Sequence, residues 1–149
     1  MVQRLISHGA RVAIANRSAD KGAALIAELQ ANGVGEKDAV FLTCDVREPA
    51  QVRDAFHKAV KFLGKVDIVI ANAGYVADVI PVTVETENDD VWLNDIMGNY
   101  VGFTQLARLA TTHWTKGNME GVLVATSSIM GVAPLYKLLA FHPYLTCAC

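Results

Sequence analysis

Prolines, cysteines and blocks of like charge are scarce in this chain of 149 residues, and each scarcity removes a class of protein. Four prolines, together with 52% apolar and 19% charged residues, argue against a disordered chain. Thirteen Lys and Arg residues against fifteen Asp and Glu residues give a formal net charge of -2. No basic stripe is present, so we expect no nucleic-acid partner held through its phosphates. The length suits one domain.

The cysteines and the uncharged stretches are also limited. Cys44, Cys147 and Cys149 are too few for a disulfide framework, and the four histidines lie far apart, so we expect no metal site. The longest uncharged stretch with helical character, residues 96–107, is shorter and more polar than the roughly 20 apolar residues of a membrane-spanning helix. With no recognisable signal peptide, we expect a cytoplasmic protein without a membrane partner.

Three short β-branched runs recur at one interval and predict strands. Their centres, at Val12, Val40 and Ile68, are 28 residues apart, which suits a strand, a helix and two turns. The runs cover residues 11–15, 39–43 and 67–71. Ser18 and Gly33 are typical of the two ends of a helix between the first two runs. Pro49 and Gly64 bound a second, strongly amphipathic helix.

The rest of the chain continues the same alternation. Residues 1–8 are typical of the end of a helix that stops at Gly9. A longer helix is predicted over residues 88–116, and a fourth strand over residues 121–126. Uniformly apolar strands that alternate with amphipathic helices indicate a parallel sheet with helices on both faces. We therefore expect an α/β fold with a doubly wound parallel sheet.

Small or polar residues follow all four predicted strands. They are Asn16 and Arg17, residues 44–46, residues 72–74, and Ser127 with Ser128. One such pair is an ordinary turn. Ligands of open parallel sheets bind outside the carboxyl ends of the strands, so four such sites together predict a ligand-binding rim.

The order and spacing of these segments resemble the short-chain dehydrogenase/reductase family, a Rossmann-fold group of oxidoreductases that use NAD(P)(H). The matching segments are GARVAIANR at residues 9–17, CDV at 44–46, DIVIANAG at 67–74, GNYVGF at 98–103 and VATSSIMG at 124–131. They cover nearly the whole chain up to about residue 131. The resemblance implies that Asp45 and Val46 hold the adenine, and that Asn72, Ala73 and Gly74 support the central strand and line the cofactor.

The resemblance also implies catalytic residues. Asn99 matches the asparagine of the family's tetrad, which organises a proton-relay water, and Ser128 matches the serine that hydrogen-bonds the substrate oxygen. As residues alone, Asn99 could simply pack within its helix and Ser128 could satisfy turn backbone. Tyr144 is the nearest match to the family's tyrosine, sixteen residues beyond Ser128. No tyrosine has a lysine four positions later, so the pair in which an ammonium lowers the tyrosine pKa is absent from this sequence.

Asn16 and Arg17 bear on the choice of cofactor. An acid at the position of Asn16 would bind the ribose 2′-hydroxyl, whereas an arginine nearby accommodates a 2′-phosphate. We therefore expect NADP, with NAD left open, the alternative being that Arg17 is a solvated surface residue.

Two further family features are not recognisable. The only closely spaced glycine pair, Gly33 and Gly35, follows a helix, so it does not match the glycine-rich turn that holds the pyrophosphate. In the family's strand order, the first strand lies between the strands at residues 11–15 and 67–71. We therefore expect an incomplete sheet, split in two and lacking the first and the C-terminal strands, and a chain that is marginally stable or insoluble alone.

Three interpretations follow. The favoured one is that residues 1–149 form a single partial NAD(P)-binding domain of an oxidoreductase acting on a small-molecule carbonyl or secondary alcohol, catalytically incomplete as it stands. The alternative is a non-catalytic nucleotide-binding or interaction protein with the same fold. A flavodoxin-like receiver would need an acidic pair at the first strand end, whereas Asp45 stands alone at the rim. The long helix, with apolar residues from Leu93 to Leu109, is compatible with a homo-oligomer.

Overall fold

The computed structural model describes residues 1–75 and 89–128, which form four strands and the helices between them. The strands begin and end within one residue of their predicted positions, which confirms the period of the β-branched runs. The elements are α1 Val2–Ile6, β1 Val12–Asn16, α2 Ala19–Ala31, β2 Ala39–Thr43, α3 Pro49–Leu63, β3 Ile68–Ala71, α4 Asp89–Asp95, a π-helical segment Ile96–Val101, α5 Gly102–Gly117 and β4 Val122–Ala125.

The helix ends follow from the residues at them. The backbone of Ser18 is extended directly before α2, and Pro49 occupies the first turn of α3, where its fixed φ suits the helix and its missing N–H is not needed. Gly64 ends α3 with a φ of 81°, a conformation that glycine adopts without steric cost. The boundaries predicted for both helices are confirmed.

The long helix has the predicted extent but a different interior. The regular α-helix expected over residues 88–116 contains the π-helical segment, in which the N–H of Gly102 bonds to the carbonyl of Met97, five residues back. In this wide turn, residues five apart lie on one face, a local spacing that the α-helical period predicted over residues 88–116 does not include. Such segments occur mostly as single turns and frequently at functional sites.

The described strands pair as two separate parallel sheets, β1 with β2 and β3 with β4. Val12 lies opposite Ala39 in the first, and Ile68 lies opposite Val122 in the second. Because β1 and β3 are not paired with each other, the predicted split of the sheet is confirmed for the strands of residues 1–75 and 89–128.

Helices cover both faces of the first sheet. Phe41 of β2 lies against Gly22 of α2, so closely that a Cβ at position 22 would overlap the Phe41 ring. The next residue, Leu42, points to the opposite face and packs on buried Val52 and Ala55 of α3.

One face of the second sheet packs on α3 and α5. Val69 of β3 belongs to a buried cluster with Phe56 and Trp114, and the Trp114 indole N–H donates to the carbonyl of Val66 at 2.7 Å. On the opposite face, Ile68 and Val122 are each 53% exposed. Helix α3 therefore contributes to the cores of both sheets.

Candidate functional site

The ends of β1 and β2 lie side by side and bring Arg17 close to Asp45. The strands are parallel, and the N–H of Cys44 donates to the carbonyl of Asn16 at 3.0 Å. The pKa of Asp45 is lowered, chiefly by hydrogen bonds from the Arg47 side chain, with the charge of Arg17 as a smaller cause. At this end of the first sheet, the Asp45 carboxylate is therefore paired with the Arg47 guanidinium and is within electrostatic range of Arg17.

The ends of β3 and β4 are also joined. The N–H of Thr126 donates to the carbonyl of Ala71 at 3.0 Å, and the Thr126 hydroxyl bonds to Oδ1 of Asn72 at 3.0 Å. The two residues after Asn72, Ala73 and Gly74, are exposed, so this edge presents backbone and small side chains to solvent.

Asn99 joins the long helix to the segment after β3. Its Oδ1 accepts the Tyr75 N–H at 2.7 Å, and its Nδ2 donates to the Tyr75 carbonyl at 2.9 Å. The Asn99 side chain therefore reaches across to another segment and does not merely pack within its own helix. A Cβ at Gly74 would lie 3.3 Å from Asn99 Oδ1, so a small residue is favoured at position 74.

Arg47, which sequence reasoning did not single out, connects the two halves of the rim. Its guanidinium forms an ion pair with Asp45 at 2.7 Å and donates to Oδ1 of Asn94, in α4, at 2.8 Å. The guanidinium carbon lies 5.3 Å from the centre of the Tyr75 ring. One side chain thus contacts the end of the first sheet, the long helix and the segment after β3.

Two glycines of the long helix, Gly98 and Gly102, allow it to approach the rim. A Cβ at Gly98 would lie 2.7 Å from the Cβ of Tyr75, and one at Gly102 would lie 2.5 Å from the carbonyl oxygen of Val46. Sequence reasoning gave these glycines no role of their own, although their separation by one helical turn is a signal for close approach on one face.

Of the residues predicted for the site, the structure brings together Arg17 with Asp45, and Asn99 with the segment that follows Asn72, Ala73 and Gly74. Val46 follows Asp45 directly, and Ser128 is half-buried, three residues past the end of β4. Tyr144 lies outside the described residues. Its catalytic role, like those of Asn99 and Ser128, stays a prediction.

A groove elsewhere in the described segments contains none of the predicted site residues. A groove of about 460 Å³ between α3 and α5 is lined by residues that include Phe56, His57 and Arg108. Within residues 1–75 and 89–128, no group of three or more His, Cys, Asp or Glu side chains could hold a metal ion.

Cys44 is buried next to Asp45, and burial, followed by the charges of Asp45 and Asp54, raises the pKa of its thiol. It therefore behaves as a small apolar residue rather than a nucleophile.

Among the helices of the described segments, none has the length and apolar character to cross a bilayer.

The rim fits part of a dinucleotide. Asp45 is a carboxylate acceptor, Arg17 is an exposed cation beside it, and Ala73 and Gly74 leave room at the end of β3. Neither α2 nor α3 begins after a glycine-rich turn, so their N-termini do not provide the family's pyrophosphate site. The residues therefore fit the adenosine half of NAD(P).

Comparisons with known proteins agree with the fold described above. The chain is 29% identical over 135 residues to rat 15-hydroxyprostaglandin dehydrogenase [NAD(+)], covering 89% of this chain and 46% of that protein. It matches the crystal structure of gox2181 with a TM-score of 0.88 at 24% identity, over 99% of this chain and 56% of that one. A Burkholderia cenocepacia J2315 short chain dehydrogenase in complex with NADP matches with a TM-score of 0.83 at 22% identity, over 99% of this chain and 57% of that one.

The matches to solved structures show the fold, and the chain spans about half the length of the relatives it matches. The solved structures confirm the doubly wound α/β fold, of which this chain carries a part. The family model for short chain dehydrogenase matches residues 1–142, nearly the whole chain. The chain therefore belongs to the short-chain dehydrogenase/reductase family of Rossmann-fold oxidoreductases.

Proposed function

We propose that this chain is the cofactor-binding part of an NAD(P)(H)-dependent oxidoreductase that acts on a small-molecule carbonyl or secondary alcohol, with NADP preferred. The observation that supports it most is the hydrogen-bonded rim, in which Asp45, Arg47, Tyr75 and Asn99 connect the strand ends. Among similar proteins, the rat relative is named for NAD(+) and the Burkholderia structure contains NADP, so the proposed preference depends on this chain's own residues.

The preference for NADP depends on Asn16 and Arg17. The Asn16 side-chain oxygen accepts the N–H of Ser18 at 2.9 Å, so a local turn already uses the acceptor that could bind a ribose 2′-hydroxyl. Arg17 is exposed near Asp45 and carries no hydrogen bond or ion pair within residues 1–75 and 89–128. Its guanidinium is free to pair with a 2′-phosphate, in the two-pronged geometry that arginine favours.

Each remaining predicted residue has a proposed task. Asp45 and Val46 bind the adenine, and Asn72, Ala73 and Gly74 line the cofactor. When bound, the nicotinamide supplies or accepts the hydride. Asn99 organises the proton-relay water, Ser128 hydrogen-bonds the substrate oxygen, and Tyr144 is the candidate proton donor.

We propose that the chain is catalytically incomplete. No lysine stands four positions after any tyrosine, so proton transfer near neutrality loses the assistance that the family's lysine gives. The loss amounts to about 10²- to 10⁴-fold, the usual contribution of general acid–base catalysis.

The proposal also covers the cellular location and the oligomeric state of the protein. Residues 1–149 form one partial NAD(P)-binding domain in the cytoplasm, in keeping with three cysteines that make no disulfide framework. Leu93 and Tyr100, each 43% exposed on the long helix, support a homo-oligomer through that helix.

The affinity of the purified chain for NADPH and NADH, measured by titration calorimetry, tests the proposal. We expect NADPH to bind about 10-fold more tightly, as one additional charge-assisted phosphate contact predicts. Arg17→Gln should abolish that preference and leave NADH unchanged. Arg53→Gln, which changes an arginine of α3 that has no bonded partner here, is the matched control.

Three outcomes distinguish the alternatives. Tighter binding of NADH by the unmodified chain would contradict the NADP preference. Failure to bind either dinucleotide would contradict the proposed function. Binding accompanied by slow but measurable turnover of a carbonyl would contradict the alternative, a non-catalytic nucleotide-binding protein.

A further inference from the structure

The Arg47 side chain uses its guanidinium to hold Asp45 in one orientation. Nη2 donates to Oδ2 of Asp45 at 2.7 Å, and Nε is shared between Oδ1 at 3.1 Å and Oδ2 at 3.2 Å. The backbone N–H of Arg47 also donates to Oδ1, at 3.0 Å. Rotation of the carboxylate would break several of these bonds at once.

These bonds leave the carboxylate with limited acceptor capacity. A carboxylate has about four lone-pair positions, and here three N–H groups of Arg47 occupy most of them. About one position remains, so a ligand can donate one hydrogen bond to Asp45. The side chains of Arg47 and Asp45 are only 29% and 20% exposed, so water screens the pair less than it would at the surface.

Arg47 is itself held from two further directions. Its Nη1 donates to Oδ1 of Asn94, and the Nδ2 of Asn94 donates to the Asp90 carbonyl of the same helix at 2.6 Å. The ring of Tyr75 covers the guanidinium at a distance typical of a cation–π contact. The orientation of Asp45 therefore depends on the long helix and on the segment after β3.

We propose that Arg47 is a positioning residue that aims the remaining acceptor position of Asp45 at the 6-amino group of a bound purine. The proposal rests on the proposed function, because it concerns a dinucleotide bound at the rim. The 6-amino group of adenine donates a hydrogen bond, whereas a 6-oxo purine places a carbonyl oxygen there, which a carboxylate repels. The chain should therefore bind the 6-amino purine more tightly than the 6-oxo purine. This difference in affinity should require the hydrogen bonds that Nε and Nη2 of Arg47 donate to the Asp45 carboxylate.

The test compares the affinities for NADPH and for its 6-oxo analogue, in which hypoxanthine replaces adenine. The unmodified chain should bind NADPH about 10-fold more tightly, since a hydrogen bond to a charged group is worth at least that factor. Arg47→Met should reduce the preference to within about twofold. Arg47→Lys should do the same, because one ammonium cannot reproduce the bonds to both Asp45 and Asn94.

Two controls separate positioning from general damage. Arg53→Met removes an exposed arginine of neighbouring α3 and should keep the full preference. Thermal unfolding of each variant identifies any that fails to fold, and Arg47→Lys, which keeps the charge, serves if Arg47→Met does not fold.

The outcomes distinguish this inference from the proposed function. A preference for adenine that survives in Arg47→Lys or Arg47→Met would overturn only the positioning role of Arg47 and would leave the proposed function standing. An increased preference in those variants would also overturn it, because Arg47 would then be competing for Asp45. Failure of the unmodified chain to bind either dinucleotide would overturn the inference together with the proposed function.

Discussion

The two sheets are built from similar apolar strands, yet the described helices cover them differently. In the β1–β2 sheet, Phe41 faces α2 and Leu42 faces α3, so both faces are packed. In the β3–β4 sheet, Val69 faces α3 and α5, whereas Val122 on the other face is 53% exposed. An apolar strand therefore shows that a face can be buried, and the neighbouring elements decide which face is.

Because of this difference, the buried residues that stabilise the fold and the polar residues of the candidate site lie in different parts of the molecule. Helix α3 packs against both sheets through Val52 and Ala55 on one side and Phe56 on the other. At the rim, polar groups make the connection, mainly through Arg47 and Asn99. We expect variants in the buried clusters to change stability most, and variants at the rim to change ligand binding.

The largest effect should come from Trp114→Ala, which removes the main cover of the second sheet. Trp114 is 8% exposed and donates its indole N–H to the Val66 carbonyl. The free energy of unfolding should fall by about 3–5 kcal/mol, the cost of deleting a large buried aromatic side chain. Urea denaturation measures it, and a loss below about 1 kcal/mol would show that this cluster does not support the sheet.

The two faces of the second sheet can be compared directly with Val69→Ala and Val122→Ala. The residues lie on opposite faces of paired strands and lose the same atoms. Val69→Ala should cost about 1.5–3 kcal/mol, since each buried methylene is worth about 0.8 kcal/mol before any cavity cost. Val122→Ala should cost less than about 0.5 kcal/mol. Equal costs in urea denaturation would mean that both faces are covered in solution.

For the first sheet, Gly22→Ala tests the close packing of α2. The added methyl group would overlap the ring of Phe41, so the ring or the helix must move, at a cost of about 1–3 kcal/mol. Gly117→Ala is the matched control, because its methyl group would meet only the flexible side chain of Met119. Thermal unfolding should show a lower midpoint for Gly22→Ala and an unchanged or higher one for Gly117→Ala. The reverse order would contradict the packing described.

The smallest effect concerns two ion pairs, one at the end of the first sheet and one at the start of the second. Arg47 lowers the pKa of folded Asp45 below its ordinary value of 3.8, so the carboxylate stabilises the fold above that pH. This contribution is lost as the pH falls through the lowered pKa. Asp45→Asn should therefore reduce stability at pH 7 and match the unmodified chain in strong acid.

The matched control for that pH dependence is Asp67→Asn. Asp67 pairs with Lys65, but the two side chains are 60% and 66% exposed, and exposed pairs contribute little. Chemical denaturation between pH 2 and pH 7 should show a small difference at most for Asp67→Asn. A difference as large as that of Asp45→Asn would show that burial of the rim pair is unimportant.

Much of this fold could be predicted because local chemistry sets it. The hydrophobic period located the strands and helices, and Ser18, Pro49 and Gly64 marked helix ends whose backbone requirements are local. The resemblance predicted the split of the sheet, and the strand-end rule indicated the rim.

What the sequence did not reveal depends on contacts between distant segments. In the sequence, Arg47 resembles a solvated turn residue. Its hydrogen bond to Asn94 becomes evident only when the long helix is placed beside it. The π-helical turn around Asn99 brings residues five apart onto one face, a local change that an α-helical period does not predict. Gly98 and Gly102 acquire meaning only from the backbone that approaches them.

The central claim, that the strand ends form a dinucleotide site, is tested most directly by NMR. Amide shifts of the uniformly ¹⁵N-labelled chain would be followed during titration with NADPH. We predict that the largest changes occur at Arg17, Asp45, Val46 and residues 72–74, and that the groove residues His57 and Arg108 are unaffected. Changes concentrated in that groove, or no changes at millimolar NADPH, would contradict the claim.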